Sequence, residues 1–305
     1  MNSAPRPETH ALPDRRERFA QAAREERPDL ALLCLLIGAE ADPALDEAGL
    51  DAAQIELDRL AGLLPATHQP PPRPPDTAGG PTPLPSEQVG SPASWARDVA
   101  GLLGGREGFH GADSDYRRLE SSLLHEVLRR RRGLPILLSV VWLEVARRAG
   151  LPVYGVALPG HFVVGFGDPY GDHALADPFT GGLPLSEEDA AALVAGGEGL
   201  ALTARLLEPA QPLEIVGRVL NNIRAWAATR PEQSAVQLWA IELAMLLPSR
   251  PARLRYERAQ VLVQRGEYLR GAAELEGYAD IVEPVEPGTA QTLRAQAASA
   301  RAMLN

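Results

Sequence analysis

Apolar residues along this chain recur mostly at three- and four-residue intervals, the spacing that places them on one face of an α-helix. Two stretches, 30–39 and 134–149, are apolar nearly all round, which is typical of buried helices. Between 153 and 178 the pattern changes to short apolar runs separated by proline and glycine, which predicts strands. After 208 the helical pattern returns, in segments at 213–229, 231–247, 253–264, 269–282 and 289–304. We therefore predict an α+β fold followed by an all-α module.

Two proline-rich segments interrupt this pattern. Residues 1–13 contain three prolines, and residues 66–94 contain nine prolines and almost no large apolar side chain. Such compositions bury too little apolar surface to order the backbone, so we expect a flexible tail and a flexible insertion. A proline-recognising partner for the insertion is an alternative. We predict one domain at 14–207, with helices that include 51–64, 95–103 and 120–132, and a second domain at 208–305.

The composition of the chain excludes several classes of protein. A net charge of −10 over 305 residues argues against non-specific binding to nucleic acid or to an anionic membrane. No apolar stretch approaches the ~20 residues of a membrane-spanning helix, and the N-terminal segment has no apolar core typical of a secretory signal. The single cysteine, Cys34, excludes an internal disulfide and is predicted to be an inert core thiol. We therefore predict a cytoplasmic protein that binds neither nucleic acid nor membrane.

Four consecutive arginines, 129–132, end the predicted helix at 120–132 and are followed by Gly133. Cations in a last helical turn face the negative end of the helix dipole, and glycine often occupies the position after the helix. We therefore interpret this run as a helix end, with binding of an anion or an acidic partner as the alternative. Pro135 then opens the next helix at its first position, where its missing N–H removes no hydrogen bond.

His161 and Asp177 are the two residues most able to do chemistry together. They lie on consecutive predicted strands, and the intervening stretch 168–172 has the composition of a turn. A hairpin loop centred on Pro169 would place the two residues opposite each other, and one centred on Tyr170 would leave them diagonal but within reach. A two-residue loop would send them to opposite faces of the sheet. A carboxylate that accepts from one imidazole nitrogen leaves the other nitrogen as a base.

These motifs resemble transglutaminase-like domains, which have a papain-like core. Such domains have G-x-C at a helix start, a glycine about fifteen residues later, and then strands with histidine and Asp-Pro. The matching residues are Gly133-Leu134-Pro135, Gly150, Pro159-Gly160-His161 and Asp177-Pro178-Phe179. The resemblance implies that His161 and Asp177 are a remnant catalytic pair and that Pro135 stands at the cysteine position.

The order of the motifs is similar to the SirB family of transglutaminase-like proteins. The similarity covers about 14–282 without the insertion, and it includes Leu138-Ser139, Leu220-Asn221-Asn222 and a tetratricopeptide-like helix pair. That pair has small or turn-forming residues at the expected positions, namely Ala259, Gly266, Tyr268, Gly271 and Pro284. The family implies a bacterial cytoplasmic protein with a regulatory role.

We predict from this combination a protein that binds a protein or peptide partner without catalysis and without a cofactor. The alternative is a hydrolase or acyl-transfer enzyme in which His161 and Asp177 act with Ser139, water or a metal. His173, Asp168 and Asp172 would complete such a metal site, although their spacing matches no zinc signature. In a further alternative His161 and Asp177 only hold the hairpin together. The sequence leaves the oligomeric state open.

Overall fold

The computed structural model of the chain describes residues 15–65, 90–198, 203–249 and 251–303. The predicted tail at 1–13, and all of the predicted insertion except 90–94, lie outside these residues. Within the described part, six α-helices precede a four-stranded sheet and six follow it. The predicted α+β class with an all-helical C-terminal region is confirmed. None of the described helices is long and apolar enough to cross a membrane.

The first six helices form most of the central core. Their bounds are α1 Arg15–Ala22, α2 Leu30–Ala41, α3 Glu47–Ala61, α4 Pro92–Ala100, α5 Leu124–Arg130 and α6 Pro135–Arg148. The helix predicted from 95 begins at Pro92 instead, because Ser91 caps it and proline fits the first helical position. It ends at Ala100, and a π-helix continues over Gly101–Arg106. The helix predicted at 120–132 is reduced to α5, preceded by a 3₁₀ turn at Leu119–Ser122.

The helix end assigned to Gly133 was misplaced by two residues. Arg131, not Gly133, takes the left-handed conformation after α5, with φ 59°. Its guanidinium lies 4.6 Å from the centre of the Phe109 ring and donates to the Leu128 carbonyl, which compensates the unfavourable backbone geometry. Gly133 is required for a different reason, since a Cβ there would lie 2.6 Å from the Val127 side chain.

Helix α6 is the central helix of the fold. It packs against α2, α3 and α5 and against strands β1 and β2, and every residue over 135–146 is buried. Gly150 then adopts φ 82° and ends the helical segment as predicted. Because the whole first turn of α6 is enclosed by neighbouring elements, the position of Pro135 is fixed by packing.

The sheet is antiparallel throughout, in the order β1-β2-β3-β4. Its strands are β1 Val153–Val156, β2 Val163–Gly167, β3 His173–Asp177 and β4 Leu183–Leu185. The strand pattern did not predict β4, which has three residues, one of them Pro184. Proline is tolerated there because β4 is an edge strand. Pairing with Asp177, not intrinsic strand propensity, defines it.

The remaining helices follow the sheet. They are α7 Glu187–Glu198, α8 Pro212–Ala228, α9 Ser234–Ala244, α10 Arg253–Gln264, α11 Tyr268–Val282 and α12 Pro287–Ala302. The α10–α11 pair has the close crossing expected of a tetratricopeptide unit, since a Cβ at Gly271 would lie 2.6 Å from Val263 and 3.1 Å from the Ala259 carbonyl. Gly266 forms the predicted turn between the two helices, with φ 79°.

Three hydrophobic clusters organise the described layers. The largest includes α8, α9 and part of α10 together with the N-terminal helices and the sheet. The second joins α10, α11 and α12, and the third joins the sheet to α7. A chain of ion pairs links the first two clusters, because Glu242 of α9 bonds both Arg16 and Arg258, and Arg258 also reaches Glu274. Helix α8 therefore packs against α2 and α6 of the transglutaminase-like core predicted from the sequence. It also packs against α9, which precedes the α10–α11 pair.

Candidate functional site

The site begins at the first turn of α6. Pro135 occupies the first helical position, and Leu134 precedes it without a side-chain cap. The Leu134 N–H donates to the Ser121 carbonyl at 2.9 Å, which fixes the chain where it enters the helix. The N–H groups of a first helical turn have no intrahelical acceptor, and proline removes one of them. The start of α6 is thus a positively polarised helix end without a nucleophile at its first position.

His161 and Asp177 are in contact, and the hairpin between them has one of the registers predicted from the sequence. The β2–β3 pairing is centred on Tyr170, since Val164 lies opposite Ala176 and Gly167 opposite His173. That register leaves the histidine and the aspartate diagonal, with Nε2 of His161 3.0 Å from Oδ1 of Asp177. His161 itself precedes β2, in a turn where its N–H donates to the Leu158 carbonyl. The predicted strand alternation therefore did not apply to it.

Asp177 is buried and held by its own turn. Its Oδ1 accepts from the Phe179 N–H at 2.9 Å, and its carbonyl accepts from Gly182 N–H at 2.7 Å and from the Thr180 hydroxyl. The ring of Phe179 stands edge-on to the imidazole of His161, with ring centres 6.2 Å apart. Nε2 of His161 is close to the carboxylate but not aligned with it as a hydrogen bond.

The turn at 177–182 is locked against the rest of the core by close backbone packing. Gly111 N–H donates to the Phe179 carbonyl at 2.9 Å. Gly181 and Gly182 both have positive φ, and Gly181 lies against Gly104 of the π-helix. A Cβ at Gly104 would lie only 1.9 Å from the Gly181 carbonyl oxygen. The position of Asp177 therefore depends on glycine at several points around the turn.

A cleft of about 470 Å³ opens where these elements meet α8. Pro135 and His161 lie on one side, and α8 supplies the other wall. The lining residues are Tyr116, Leu134, Pro135, Ile136, Gly160, His161, Phe162, Arg218, Asn221, Asn222, Ala225 and Trp226. Asp177 lies behind His161 and is buried. Of the site residues predicted from the sequence, Pro135 and His161 thus line the cleft. Asp177 does not line it but contacts the imidazole of His161.

Comparison with known families accounts for this arrangement. Residues 51–221, more than half of the chain, match the family described as the transglutaminase-like superfamily. The chain belongs to the transglutaminase-like superfamily. Residues 223–305 match the tetratricopeptide repeat, which agrees with the crossing of α10 and α11.

Individual proteins similar in sequence to this transglutaminase-like chain come from bacteria and from animals. It is 35% identical to a UPF0162 protein of Xylella fastidiosa over 177 residues, 56% of this chain and 62% of the relative. It is 38% identical to a UPF0162 protein of Pseudomonas aeruginosa over 136 residues, 43% and 49% of the two chains. It is 27% identical to F-box only protein 21 of Homo sapiens over 150 residues, 47% and 23%. The chain thus spans about three fifths of the length of the UPF0162 protein of Xylella fastidiosa.

Two potential nucleophiles of the transglutaminase-like domain, Ser139 and Cys34, are not among the residues that line the cleft. Ser139, one turn beyond Pro135 in α6, is fully buried, and its hydroxyl donates to the Phe162 carbonyl at 3.1 Å. Cys34 lies in the core, and its burial raises the pKa of the thiol far above the ordinary value, with Glu144 and Asp29 adding to the effect. Neither side chain reaches His161.

The potential metal ligands are spread along the hairpin instead of converging. His173 begins β3, with Nδ1 3.0 Å from the Gly171 carbonyl, whereas Asp177 ends the same strand. Asp168 accepts from the Tyr170 N–H within the loop. In the described part of the chain, no three His, Cys, Asp or Glu side chains are grouped as a metal site would require.

Tyr116, Arg218 and Trp226 are cleft residues that the sequence did not single out. Only the Leu220-Asn221-Asn222 motif drew attention to α8. Burial raises the pKa of the Tyr116 hydroxyl, and the nearby carboxylates of Asp113 and Asp177 raise it further. The tyrosine therefore presents a protonated hydroxyl at neutral pH. No local pattern marks these residues, because 41 to 65 positions separate them from His161 or Asp177.

The arginines at 129–132 lie at the end of α5, as predicted, and they also form ion pairs. Arg132 and Arg130 both approach the buried carboxylate of Asp115, at 2.8 and 3.6 Å. Burial by itself would raise the pKa of Asp115, but Arg132, the Ala112 N–H and Ser121 together hold that pKa below its usual value. Asp115 therefore ties the segment next to Tyr116 to the chain that leads into α6.

Asp115→Asn should lower the free energy of unfolding at pH 7 by about 2 kcal/mol, because it removes the buried carboxylate that pairs with the partly buried guanidinium groups of Arg130 and Arg132. Since the folded-state pKa is lowered, the contribution of Asp115 is complete above the unfolded value of about 3.9 and is lost as the pH falls through the folded value. The difference between wild type and variant in urea unfolding should therefore shrink below about pH 4. Asp113→Asn, on the exposed side of the same turn, is the control, and an equal loss there would contradict the assignment.

Proposed function

We propose that this chain is a transglutaminase-like protein of the SirB type that binds a segment of another protein without covalent chemistry. The position of Pro135 carries the proposal, because the residue that opens α6 beside His161 has no nucleophilic atom. In this proposal the protein is regulatory and acts in the bacterial cytoplasm, as the resemblance to the SirB family implies.

The chemistry of the site supports binding over catalysis. Acyl transfer of the cysteine type needs a thiolate next to the imidazole. A cysteine at the N-terminus of a helix forms a thiolate readily, because the helix end lowers the pKa of the thiol. Proline supplies neither the thiol nor the backbone N–H at that point. Ser139 is buried and already donates to a carbonyl, so it does not substitute for the thiol. His161 and Asp177 thus form an oriented base that has no nucleophile to activate.

The walls of the cleft support a polypeptide ligand. One wall is α8, which precedes the tetratricopeptide helices and shares the main core with α6. Stacked helix pairs present concave surfaces that bind extended chains. A cleft of about 470 Å³ lies within the usual size range of ligand sites.

The test compares two substitutions on α8. Ala225→Trp fills the cleft, whereas Ala228→Trp places the same side chain on an exposed position of the same helix outside the cleft. Peptides selected on the immobilised wild-type protein should bind Ala225→Trp at least about tenfold more weakly. Ala228→Trp should bind them as wild type does, and circular dichroism should show that both variants are folded.

The alternative function is hydrolysis or acyl transfer by His161 and Asp177 with water or a metal, which the 3.0 Å approach of the two side chains favours. Esterase and peptidase substrates should be screened with wild type, His161→Ala and Asp177→Asn. We expect no turnover by any of the three. A wild-type activity that disappears in both variants, while folding and peptide binding stay intact, would replace our proposal with the enzymatic one.

A further inference from the structure

The side chains that line the cleft include an arginine and no carboxylate, although the protein as a whole is acidic. Among the twelve described residues that form it, none is aspartate or glutamate, although the chain has 40 acidic residues and a net charge of −10. Arg218 is its one permanently charged side chain. A ligand with a negative charge would meet attraction here and repulsion over much of the remaining surface.

Arg218 is poised for such a ligand. Its guanidinium lies within 4 Å of no carboxylate in the described residues, and its contacts with the carbonyls of Ala157 and Leu158 are both long, at 3.5 Å. The next arginine of α8, Arg224, is by contrast paired with Glu257. The guanidinium fork of Arg218, which has no carboxylate partner among the described residues, matches the geometry of a ligand carboxylate.

Trp226 lies in the same lining as Arg218. Its ring stacks on the Arg230 guanidinium, which lies 4.5 Å from the ring centre. The indole therefore gives the cleft a fixed apolar surface next to the arginine. The amides of Asn221 and Asn222 lie on the same wall.

A second cleft of about 290 Å³ lies next to the first, since Asn221 lines both. It lies between α8, the end of α9 and the start of α10, with Gly217 and Leu254 in its lining. Glu214 also lines this second cleft, so the absence of carboxylates is confined to the first. Two neighbouring clefts offer an extended chain more binding surface than a single small acid would use.

We propose that the cleft binds an acidic segment of polypeptide, with a carboxylate side chain on Arg218. The segment continues past Asn221 toward α10. This inference rests on the proposed function and specifies the partner of the same site.

The experiment uses three pools of capped heptapeptides that are random except at the central position, which is Glu, Gln or Lys. Each pool is equilibrated with the immobilised full chain, and retention is quantified by mass spectrometry. Wild type should retain the Glu pool about tenfold better than the Gln pool, because a carboxylate adds a charge-assisted pair. Arg218→Gln should abolish that preference, and Arg218→Glu should transfer it to the Lys pool. Arg24→Gln, an exposed arginine of the N-terminal region, should retain the wild-type preference.

Three results would overturn the inference. Equal retention of the Glu and Gln pools, both lost in Ala225→Trp, would refute the acidic partner and leave the binding function intact. No retention of any pool above the level of Ala225→Trp would refute the binding function itself. Competition by N-acetylglutamate amide as strong as that by the peptides would identify a small acid as the ligand in place of a polypeptide.

Discussion

A cysteine introduced by Pro135→Cys should react with iodoacetamide at pH 6.5 about ten times faster than an ordinary exposed thiol. The expected reason is that the first position of α6 combines a helix N-terminus with the imidazole of His161 on the same side of the cleft. Both features favour the thiolate, which is scarce at pH 6.5 for a cysteine with the usual pKa near 8.5. The measurement is the alkylation rate by mass spectrometry, and proline at this position makes no hydrogen bond that the substitution would remove.

The controls use the same chain. The native Cys34 is buried and should stay unmodified, and Ala52→Cys on the exposed face of α3 gives the reference rate. His161→Ala added to Pro135→Cys should return the rate to about that of the reference. A rate for Pro135→Cys that equals the reference with or without His161 would contradict the assignment of Pro135 to the nucleophile position.

Gly104→Ala should destabilise the protein by about 3 kcal/mol, at the upper end of the cost of overpacking. The new Cβ would lie 1.9 Å from the Gly181 carbonyl oxygen and 2.9 Å from its Cα, and a backbone cannot rotate away as a flexible side chain does. The turn that holds Asp177 must therefore shift or the π-helix must unwind. The melting temperature should fall by roughly 5–10 °C.

The matched control for Gly104→Ala is its neighbour in the same π-helix. A Cβ at Gly105 meets only the Ala100 carbonyl, at 3.9 Å, and Gly105 is exposed. Gly105→Ala should therefore be neutral or stabilise by up to about 1 kcal/mol through the lower entropy of the unfolded chain. If both substitutions had the same effect on urea unfolding, the close approach of Gly104 to Gly181 would not be the cause.

Much of the fold follows from local patterns in the sequence. The helical spacing predicted α6 and the helices after 208, Gly150 ends its helix as expected, and Ser186 and Asp189 bond each other reciprocally at the start of α7. These features depend on residues within one or two turns of each other, so they are encoded where they occur. The predicted helix boundaries were wrong where contacts between distant residues decide them. One example is the end of α5 at Arg131, whose guanidinium packs on the Phe109 ring.

The residues of the candidate site could be named from the sequence: His161 and Asp177 on a hairpin, and Pro135 at the start of a buried helix. The sequence limited the hairpin to a few registers but did not choose among them. The tertiary structure chose the one centred on Tyr170, because the close packing of the 177–182 turn against Gly104 and Gly111 fixes β3. Only the tertiary structure brought Arg218 and Trp226 to the same cleft. The physical reason is that their position depends on how α8 packs into the main core, a long-range contact that no local spacing encodes.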